Sequence, residues 1–423
     1  MSLHREYQKY KTILFYVITT VSKALAQIAS VFLVAKFVQP GDLGLWTIAN
    51  VFVVYSALLN LGIISGLNRE LPFNLGKGDY TKAETIVGTS MLYMWIMISA
   101  MVIVGSAVSI FYLGNISFKT LISGCAVTLL SAMSFLENFL LATYRSNSSF
   151  NKLSILQLLQ TGLNILTLAL IYFYGFWGLV FKTVFVQLVY VIILYSNRPF
   201  KVPCRWNKHA FYDVLKVGFP IYILAFAQSS AATFDKVLLA KITDKIHLGY
   251  YSFGMYSFIA LALIPTAISN FIYPKLSYKY GRDNNRMDLW ADFKKIVFGM
   301  FIMLLPIAIV MWIAAPYLLE RFFPSYIDGV AAFRILAIAA VFLGTTAGGN
   351  VVLTIKEWKY IIAYQSIYAI SLIVFPFIFS LLFTDKVTGV ALGVLMAYII
   401  ISLAIYIIVY LCTHNFKRKT ENI

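Results

Sequence analysis

The chain has 423 residues, of which hydrophobic types make up 61% and charged types only 12%. Soluble domains carry about 25% charged residues, so this composition excludes a soluble enzyme. The 34 Lys and Arg against 17 Asp and Glu give a formal charge of +17, which in so apolar a chain has to be read by position relative to a membrane rather than as a nucleic-acid signal.

The first apolar run starts near Thr12 and continues past twenty residues, with no clear cleavage site. It therefore reads as a retained span and not a cleaved leader. About 20 apolar residues cross the hydrocarbon as a helix. Along the chain that criterion predicts twelve spans, at 13–35, 44–66, 86–110, 120–142, 153–173, 176–196, 215–235, 250–273, 296–319, 330–354, 360–382 and 388–411. The runs are too long and too continuously apolar for the tilted strands of a barrel. The expected fold class is all-α and polytopic, with twelve transmembrane helices.

Lysine and arginine set the orientation. Counting the N-terminus and alternate connections, 24 fall on one side and 7 on the other, and Lys23, Lys182 and Arg334 lie within spans. This asymmetry predicts both termini in the cytoplasm. Tryptophans such as Trp46, Trp177, Trp206 and Trp358 fall near expected interfaces, where amphipathic rings settle, although packing accounts for any single one.

A faint repeat links the two halves. Ala35 and Ala240, Lys36 and Lys241, Gly44 and Gly249, and Gly76 and Gly281 all match at an offset of 205 residues. That offset contains six spans, so both halves share one orientation and an axis along the membrane normal would relate them. The expected organisation is a six-helix lobe over 1–196, a cytoplasmic linker over 197–214 and a second six-helix lobe over 215–423, around a central cavity.

Ionisable groups within spans are costly and usually face an interior or a water-filled space. Lys23, Gln27 and Ser30 fall at i, i+4 and i+7, one polar face of the first span. The lysine there either faces inward, or snorkels or pairs with a carboxylate such as Glu137. Lys182 in the sixth span reads as a cavity cation or an outer-leaflet snorkeller. Ser229, Thr233 and Lys236 share a face of the seventh span, while Asp235 beside Lys236 reads equally well as a structural pair. Arg69 and Arg145 close the second and fourth spans at the cytoplasmic rim. Guanidinium there would meet an anionic head group first, or simply contact lipid phosphates. Arg334 opens the tenth span as a gate or interfacial anchor. Prolines 220, 265, 306, 316 and 376 interrupt spans where kinks permit rocking. There is no P-loop, HExxH, CxxC pair or nucleophile elbow, and the extramembrane loops are too short for a catalytic domain.

With this layout in view, the chain resembles the bacterial polysaccharide-biosynthesis flippases that move O-antigen and capsule repeat units. These belong to the multidrug/oligosaccharidyl-lipid/polysaccharide exporter superfamily. The resemblance rests on Gln39-Pro40-Gly41-Asp42-Leu43-Gly44-Leu45-Trp46, on Leu61-Gly62 leading to Arg69, and on Gly218-Phe219-Pro220. It continues through Asp235-Lys236, Leu248-Gly249-Tyr250-Tyr251-Ser252 and Phe271-Ile272-Tyr273-Pro274-Lys275-Leu276-Ser277. It implies alternating-access transfer of an undecaprenyl-pyrophosphate-linked oligosaccharide from the inner to the outer leaflet of a bacterial inner membrane, with no enzyme activity and no nucleic acid. Lys23, Gln27, Lys182, Thr233 and Lys236 would then contact the substrate, and Arg69, Arg145, Asp235 and Arg334 would form the entrance or gate. Membrane lipids, a polysaccharide polymerase and chain-length machinery are the implied partners, and no cofactor is implied beyond proton or sodium coupling. A cation-coupled small-molecule or drug exporter of the same superfamily is the first alternative. Span-embedded acids are few, with Glu137 and Asp235 the main ones, which tilts the choice toward an anionic substrate. Lipid II flippases of the superfamily usually have fourteen spans, against the twelve expected here. A non-transporting scaffold for polysaccharide assembly is the second alternative.

Overall fold

In hydrocarbon a backbone amide must find its partner within the protein, which favours helices. The computed structural model describes Ala26, Ser30 and residues 32–420 apart from Leu113, Ser148, Asn284 and Lys356. Every element among the described residues is helical: α1 (Pro40–Ser56), α2 (Ile63–Gly76), α3 (Tyr80–Phe111), α4 (Phe118–Ser146), α5 (Phe150–Leu166), α6 (Leu168–Tyr174), α7 (Phe176–Ser196), α8 (Lys208–Ala231), α9 (Phe234–Ile242), α10 (Lys245–Asp283), α11 (Arg286–Phe322), α12 (Val330–Thr345), α13 (Asn350–Ile355), α14 (Trp358–Leu382) and α15 (Lys386–Thr420). Ten helical segments among the described residues are long and apolar enough to cross a membrane. Lys208–Pro220 and Tyr222–Ile242, bent by 45° from one another within the stretch of α8 and α9, make an eleventh if taken as one span. The expected first span, 13–35, lies mostly outside the described residues, and Lys23 and Gln27 with it.

Helix ends follow local chemistry. Asp79 accepts the amide of Lys82 at 2.9 Å and starts α3, and Asn285 accepts that of Met287 at 3.0 Å before α11. Such caps satisfy amides that have no partner inside the helix. Asp244 does the same for α10. It accepts the His247 amide at 2.8 Å and lies 2.7 Å from the imidazole, and these contacts hold its carboxyl below the usual range.

The expected second span, 44–66, is divided. A 3₁₀ turn over Ala57–Asn60 follows α1, and Leu61 and Gly62 then turn left-handed at φ 49° and 90°. Asn60 Oδ1 accepts the amide of Ile64 at 3.0 Å, so a new helix starts there. Hydropathy misses this break because Leu61 and Ile63 are as apolar as their neighbours. The resulting α2 is amphipathic: Ile63, Leu67 and Leu71 are fully buried at i, i+4 and i+8, while Asn68 and Arg69 are exposed.

The chain divides into two compact units. The first takes in the described residues up to Val38 and Ile48–Phe226, and the second takes in Gln39–Thr47 and Ala227–Ile423. In the first unit, α2, α3, α4, α7 and the start of α8 enclose Leu67, Met91, Phe139, Tyr144 and Leu194. The Tyr144 hydroxyl donates to the Leu194 carbonyl at 3.0 Å, and Tyr93 donates to that of Leu59 at 2.6 Å. Small residues bring α2 and α8 together: a Cβ on Gly218 would lie 2.0 Å from the Gly62 carbonyl oxygen, and one on Gly66 would lie 2.1 Å from that of Val214.

In the second unit, α10, α12, α14 and α15 pack side by side, with α11 against α12 and Phe293, Val351, Ile405 and Val409 in a shared core. Gly344 and Gly348 let α11 approach, since a Cβ there would meet Leu304 at 2.3 Å or Phe293 at 2.5 Å. An ion pair between Arg286 and Glu357, the Arg286 bond to the Cys412 carbonyl at 3.3 Å, and the Lys279–Asp292 pair at 2.7 Å tie the helix ends together.

The first turns of α1 belong to this second unit and meet α10 through a reciprocal contact. A Cβ on Gly44 would sit 1.9 Å from the Lys245 carbonyl oxygen, and one on Gly249 would sit 1.9 Å from that of Pro40. Pro40 and Lys245, like Gly44 and Gly249, stand 205 residues apart, so each repeat contributes the same glycine and the same carbonyl. Small residues at such crossings let backbones approach where lipid offers no hydrophobic drive. Overpacking typically costs about 1–3 kcal/mol. Gly44→Ala and Gly249→Ala should each lower the unfolding midpoint in detergent by roughly 5 °C. Gly299→Ala, whose Cβ meets open space, should leave it unchanged.

Candidate functional site

Among the described residues, each unit holds ionisable groups buried inside its spans. In the first unit, the α7 side chain of Lys182 is only 6% exposed. Among the described residues its one hydrogen-bond contact is the Ser30 hydroxyl, 3.5 Å from Nζ. Five residues on, Gln187 donates to Glu137 Oε2 at 2.6 Å and joins α7 to α4. Glu137 is thus engaged by an amide, and among the described residues Lys182 has a single neutral oxygen beside it. Burying an ammonium without an anion is among the most expensive arrangements in a protein.

In the second unit the centre is Asp235, 4% exposed at the start of α9. Its Oδ2 accepts the hydroxyl of Tyr251, a wholly buried residue of α10, at 2.5 Å. Its Oδ1 accepts the Lys236 amide at 2.8 Å, with Lys236 Nζ at 3.4 Å. Nearby, the hydroxyls of Tyr368 on α14 and Tyr398 on α15 lie 3.3 Å apart, and Gln228 bonds Tyr368. A cavity of 70 Å³ opens between Ala231, Asp235, Met255, Phe258 and Tyr398. A water needs roughly 10–15 Å³ of such space, so a water or a bare monovalent cation fits against the carboxylate. Among the described residues no three His, Cys, Asp or Glu side chains gather as a metal site.

The other expected residues are placed as follows. Thr233 is buried at the start of α9, and its hydroxyl donates to the Ser229 carbonyl at 2.9 Å. Lys236 pairs with Asp235. Arg69 and Arg145 are exposed on the first unit. Arg334 donates from Nε to the Trp312 carbonyl at 2.8 Å and stacks its guanidinium 4.3 Å over the Trp312 ring, anchoring α12 to α11. Thr233, Asp235 and Lys236 therefore come together in the second unit, while Lys182 stands in the first. Tyr251, Tyr368 and Tyr398 were not singled out as polar ligands. In a chain of 28 tyrosines, only the fold shows which hydroxyls turn toward an acid.

The described residues form a multi-pass helical chain of two units with polar groups buried inside apolar segments, and solved structures share this fold. The chain is similar to an inward-facing multidrug resistance MATE family transporter of the MOP superfamily, with a TM-score of 0.77 and 16% identity over 95% of this chain and 99% of that one. It is also similar to the lipid II flippase MurJ in an inward closed conformation, with a TM-score of 0.72 and 16% identity over 93% and 87% of the two chains. A third likeness is to a MOP superfamily transporter from Pyrococcus furiosus, with a TM-score of 0.54 and 16% identity over 95% and 96%. Comparison with curated proteins finds no match. The model of the family described as polysaccharide biosynthesis protein matches residues 33–328, and the chain belongs to that family.

The Asp235 cluster makes a direct prediction about stability. Tyr251→Phe removes the hydroxyl that the buried carboxylate accepts, at a cost of about 1–3 kcal/mol. A lowered midpoint in detergent, measured by intrinsic fluorescence, is the expected outcome.

Proposed function

We propose that this protein is a flippase for polyprenyl-pyrophosphate-linked oligosaccharides, working by alternating access in the cytoplasmic membrane of a bacterium. The observation that carries this reading is Lys182, a buried span cation without a carboxylate partner among the described residues, in a member of the polysaccharide-biosynthesis family. A lipid-linked glycan crossing the membrane brings a pyrophosphate that must leave water, and a cation already desolvated in the protein offsets part of that cost. Arg69 and Arg145, exposed on the first unit, are suited to meet phosphate oxygens before entry. Lys23 and Gln27, outside the described residues, complete the proposed substrate contacts. No covalent bond changes in flipping, so no catalytic group is required. Membrane lipids, a polysaccharide polymerase and chain-length machinery are the partners this reading entails.

Asp235 is the proposed coupling group. Its carboxylate borders a cavity large enough for a small cation, and Tyr251 orients it. Binding a proton or sodium there would neutralise the charge and weaken the Lys236 contact, giving each cargo state a different energy. The same buried acid favours a second reading, a cation-coupled exporter of small molecules.

Translocation of a fluorescent polyprenyl-pyrophosphate oligosaccharide in proteoliposomes separates the readings. Lys182→Met is expected to slow transfer at least tenfold while the unfolding midpoint stays level or rises, since an apolar side chain relieves a desolvation cost of roughly 1–2 kcal/mol. A lysine serving structure alone would show the opposite pattern, with lost stability and intact transfer. A wild-type protein that moves cationic dyes and no glycolipid would favour the exporter.

For the coupling group, Asp235→Asn is expected to abolish the response of transfer to an imposed proton or sodium gradient while leaving exchange without a gradient measurable. A variant that still accelerates under both gradients places coupling elsewhere.

A further inference from the structure

Residues 197–207 join α7 to α8 without regular secondary structure, yet they lie within the first unit and are fastened to it. Thr89 of α3 donates from its hydroxyl to the Arg205 carbonyl at 3.1 Å. One residue back, a Cβ on Gly88 would lie 2.7 Å from the Pro203 carbonyl oxygen, so glycine is what lets this strap approach α3. Phe200 and Val202 pack against the core of the unit. The Trp206 ring meets that of Phe211 at 4.9 Å, and Phe211 meets Tyr93 of α3 at 5.4 Å. Arg198 folds back, donating to the Tyr195 carbonyl at 3.0 Å with its guanidinium 4.1 Å over the Tyr195 ring.

What the strap turns outward is of one sign. Lys201, Arg205, Lys208 and His209 are all exposed, and no acid occurs between Asn197 and Tyr212. The first acid to follow, Asp213, pairs with Lys82 at 3.2 Å. Other base-rich stretches are balanced. Glu70, Asp79 and Glu84 stand among the bases of 69–84, and Asp283, Asp288 and Asp292 among those of 275–295. In the latter, Lys279 pairs with Asp292, and Arg286 pairs with Glu357. The strap also ends at a helix start. Asn207 Oδ1 accepts the Ala210 amide at 3.0 Å, and the first turn of α8 holds Lys208 and His209 and no acid. A helix N-terminus already carries partial positive charge and favours anions. The bases therefore add to a field that the strap itself does nothing to offset.

The position of the strap decides which anion meets that field. The same end of the unit carries Lys77, Lys82, Arg145 and Lys152, around the starts of α3 and α5 and the end of α4. The positive-inside rule assigns such an end to the cytoplasm. The negative potential of the inner leaflet attracts basic segments beside spans and fades within about one Debye length. The strap joins the ends of two spans and is held to a third, so its bases stay in the head-group region. Trp206 and Tyr212 are 51% and 56% exposed on the same stretch, and amphipathic rings of this kind settle at that level.

We propose that the strap is a binding surface for anionic phospholipid head groups of the cytoplasmic leaflet. Lys201, Arg205 and Lys208 contact the phosphates, and Trp206 sits among the head groups. The inference goes beyond the flippase reading and does not depend on it, since it concerns the membrane around the protein and not its cargo. Each base near such a surface strengthens association about fivefold. A flexible basic tail would lose conformational freedom on binding, whereas a strap already fixed to α3 loses little.

The test uses the full chain in phosphatidylcholine vesicles that hold a minor fraction of brominated lipid, either phosphatidylglycerol or phosphatidylcholine. Bromine quenches tryptophan only near contact, and the share of Trp206 is the signal that Trp206→Phe removes in each background. Brominated phosphatidylglycerol is expected to quench Trp206 at least about threefold more than brominated phosphatidylcholine does. Joint substitution of Lys201→Gln, Arg205→Gln and Lys208→Gln should remove that preference, and high salt should weaken it. Lys294→Gln, Lys295→Gln and Lys359→Gln together take the same charge from exposed positions of the second unit and should leave it intact. Equal quenching by the two lipids in the wild-type protein overturns the proposal without recourse to any variant. A preference that survives in the strap variant, or that vanishes equally in the second-unit variant, also overturns it. So does a Trp206 that neither lipid quenches and whose emission shifts with soluble polyphosphate, which would mean that the strap faces water.

Discussion

Helices in lipid gain nothing from hiding apolar surface from one another, so what holds them together is how closely their backbones can approach. The reciprocal contact of Gly44 with the Lys245 carbonyl and of Gly249 with that of Pro40 meets this constraint twice with the same residue type. It binds the first turns of α1 to α10 within the second unit, although most of α1 belongs to the first. The Gly62–Gly218 approach does comparable work for α2 and α8 in the first unit. At each crossing the space between helices is smaller than a methyl group, and a methyl is the smallest side chain that any other residue would bring.

The same lack of water sorts the polar residues. Hydroxyls within spans mostly return to a carbonyl one turn back on their own helix, as Ser109, Thr128 and Thr233 do, and so carry no message beyond local satisfaction. Two groups depart from that habit. Among the described residues Asp235 accepts donors from α9 and α10, and Lys182 has only the Ser30 hydroxyl within reach. A fully partnered acid holds structure together. A poorly partnered base costs stability, and such residues in spans usually face an interior or a water-filled space.

Much of this fold was legible in the sequence because membrane crossing imposes a length and an apolarity that single residues do not obscure. Eleven of the twelve expected spans correspond to helical segments, counting the bent α8–α9 pair as one, and the remaining span falls mostly outside the described residues. The break at Leu61–Gly62 was hidden because backbone dihedrals leave no trace in hydropathy; only the Asn60 cap and Gly62 hinted at it. The offset of 205 was readable at Gly44 and Gly249, yet the mutual contact of those two glycines was not, since a repeat says which residues correspond and not which ones touch. The charged candidates were found by their cost in lipid. The tyrosines around Asp235 were not, because an aromatic ring is at home in a span whether or not its hydroxyl has a task.

The cargo of the proposed flippase reading, a lipid-linked glycan, poses two opposite solvation problems on one molecule. The charged end needs donors in a low-dielectric setting, where one unpaired ammonium exerts far more force than in water. The prenyl end needs only continuous apolar contact and would be harmed by any free donor along its path. Along a cavity between α1, α3 and α4, Ser109 and Thr128 return their hydroxyls to their own helices, and among the described residues Lys182 on α7 has the Ser30 hydroxyl as its one hydrogen-bond contact. On the flippase reading proposed above, Lys182 is suited to the charged end of such a cargo.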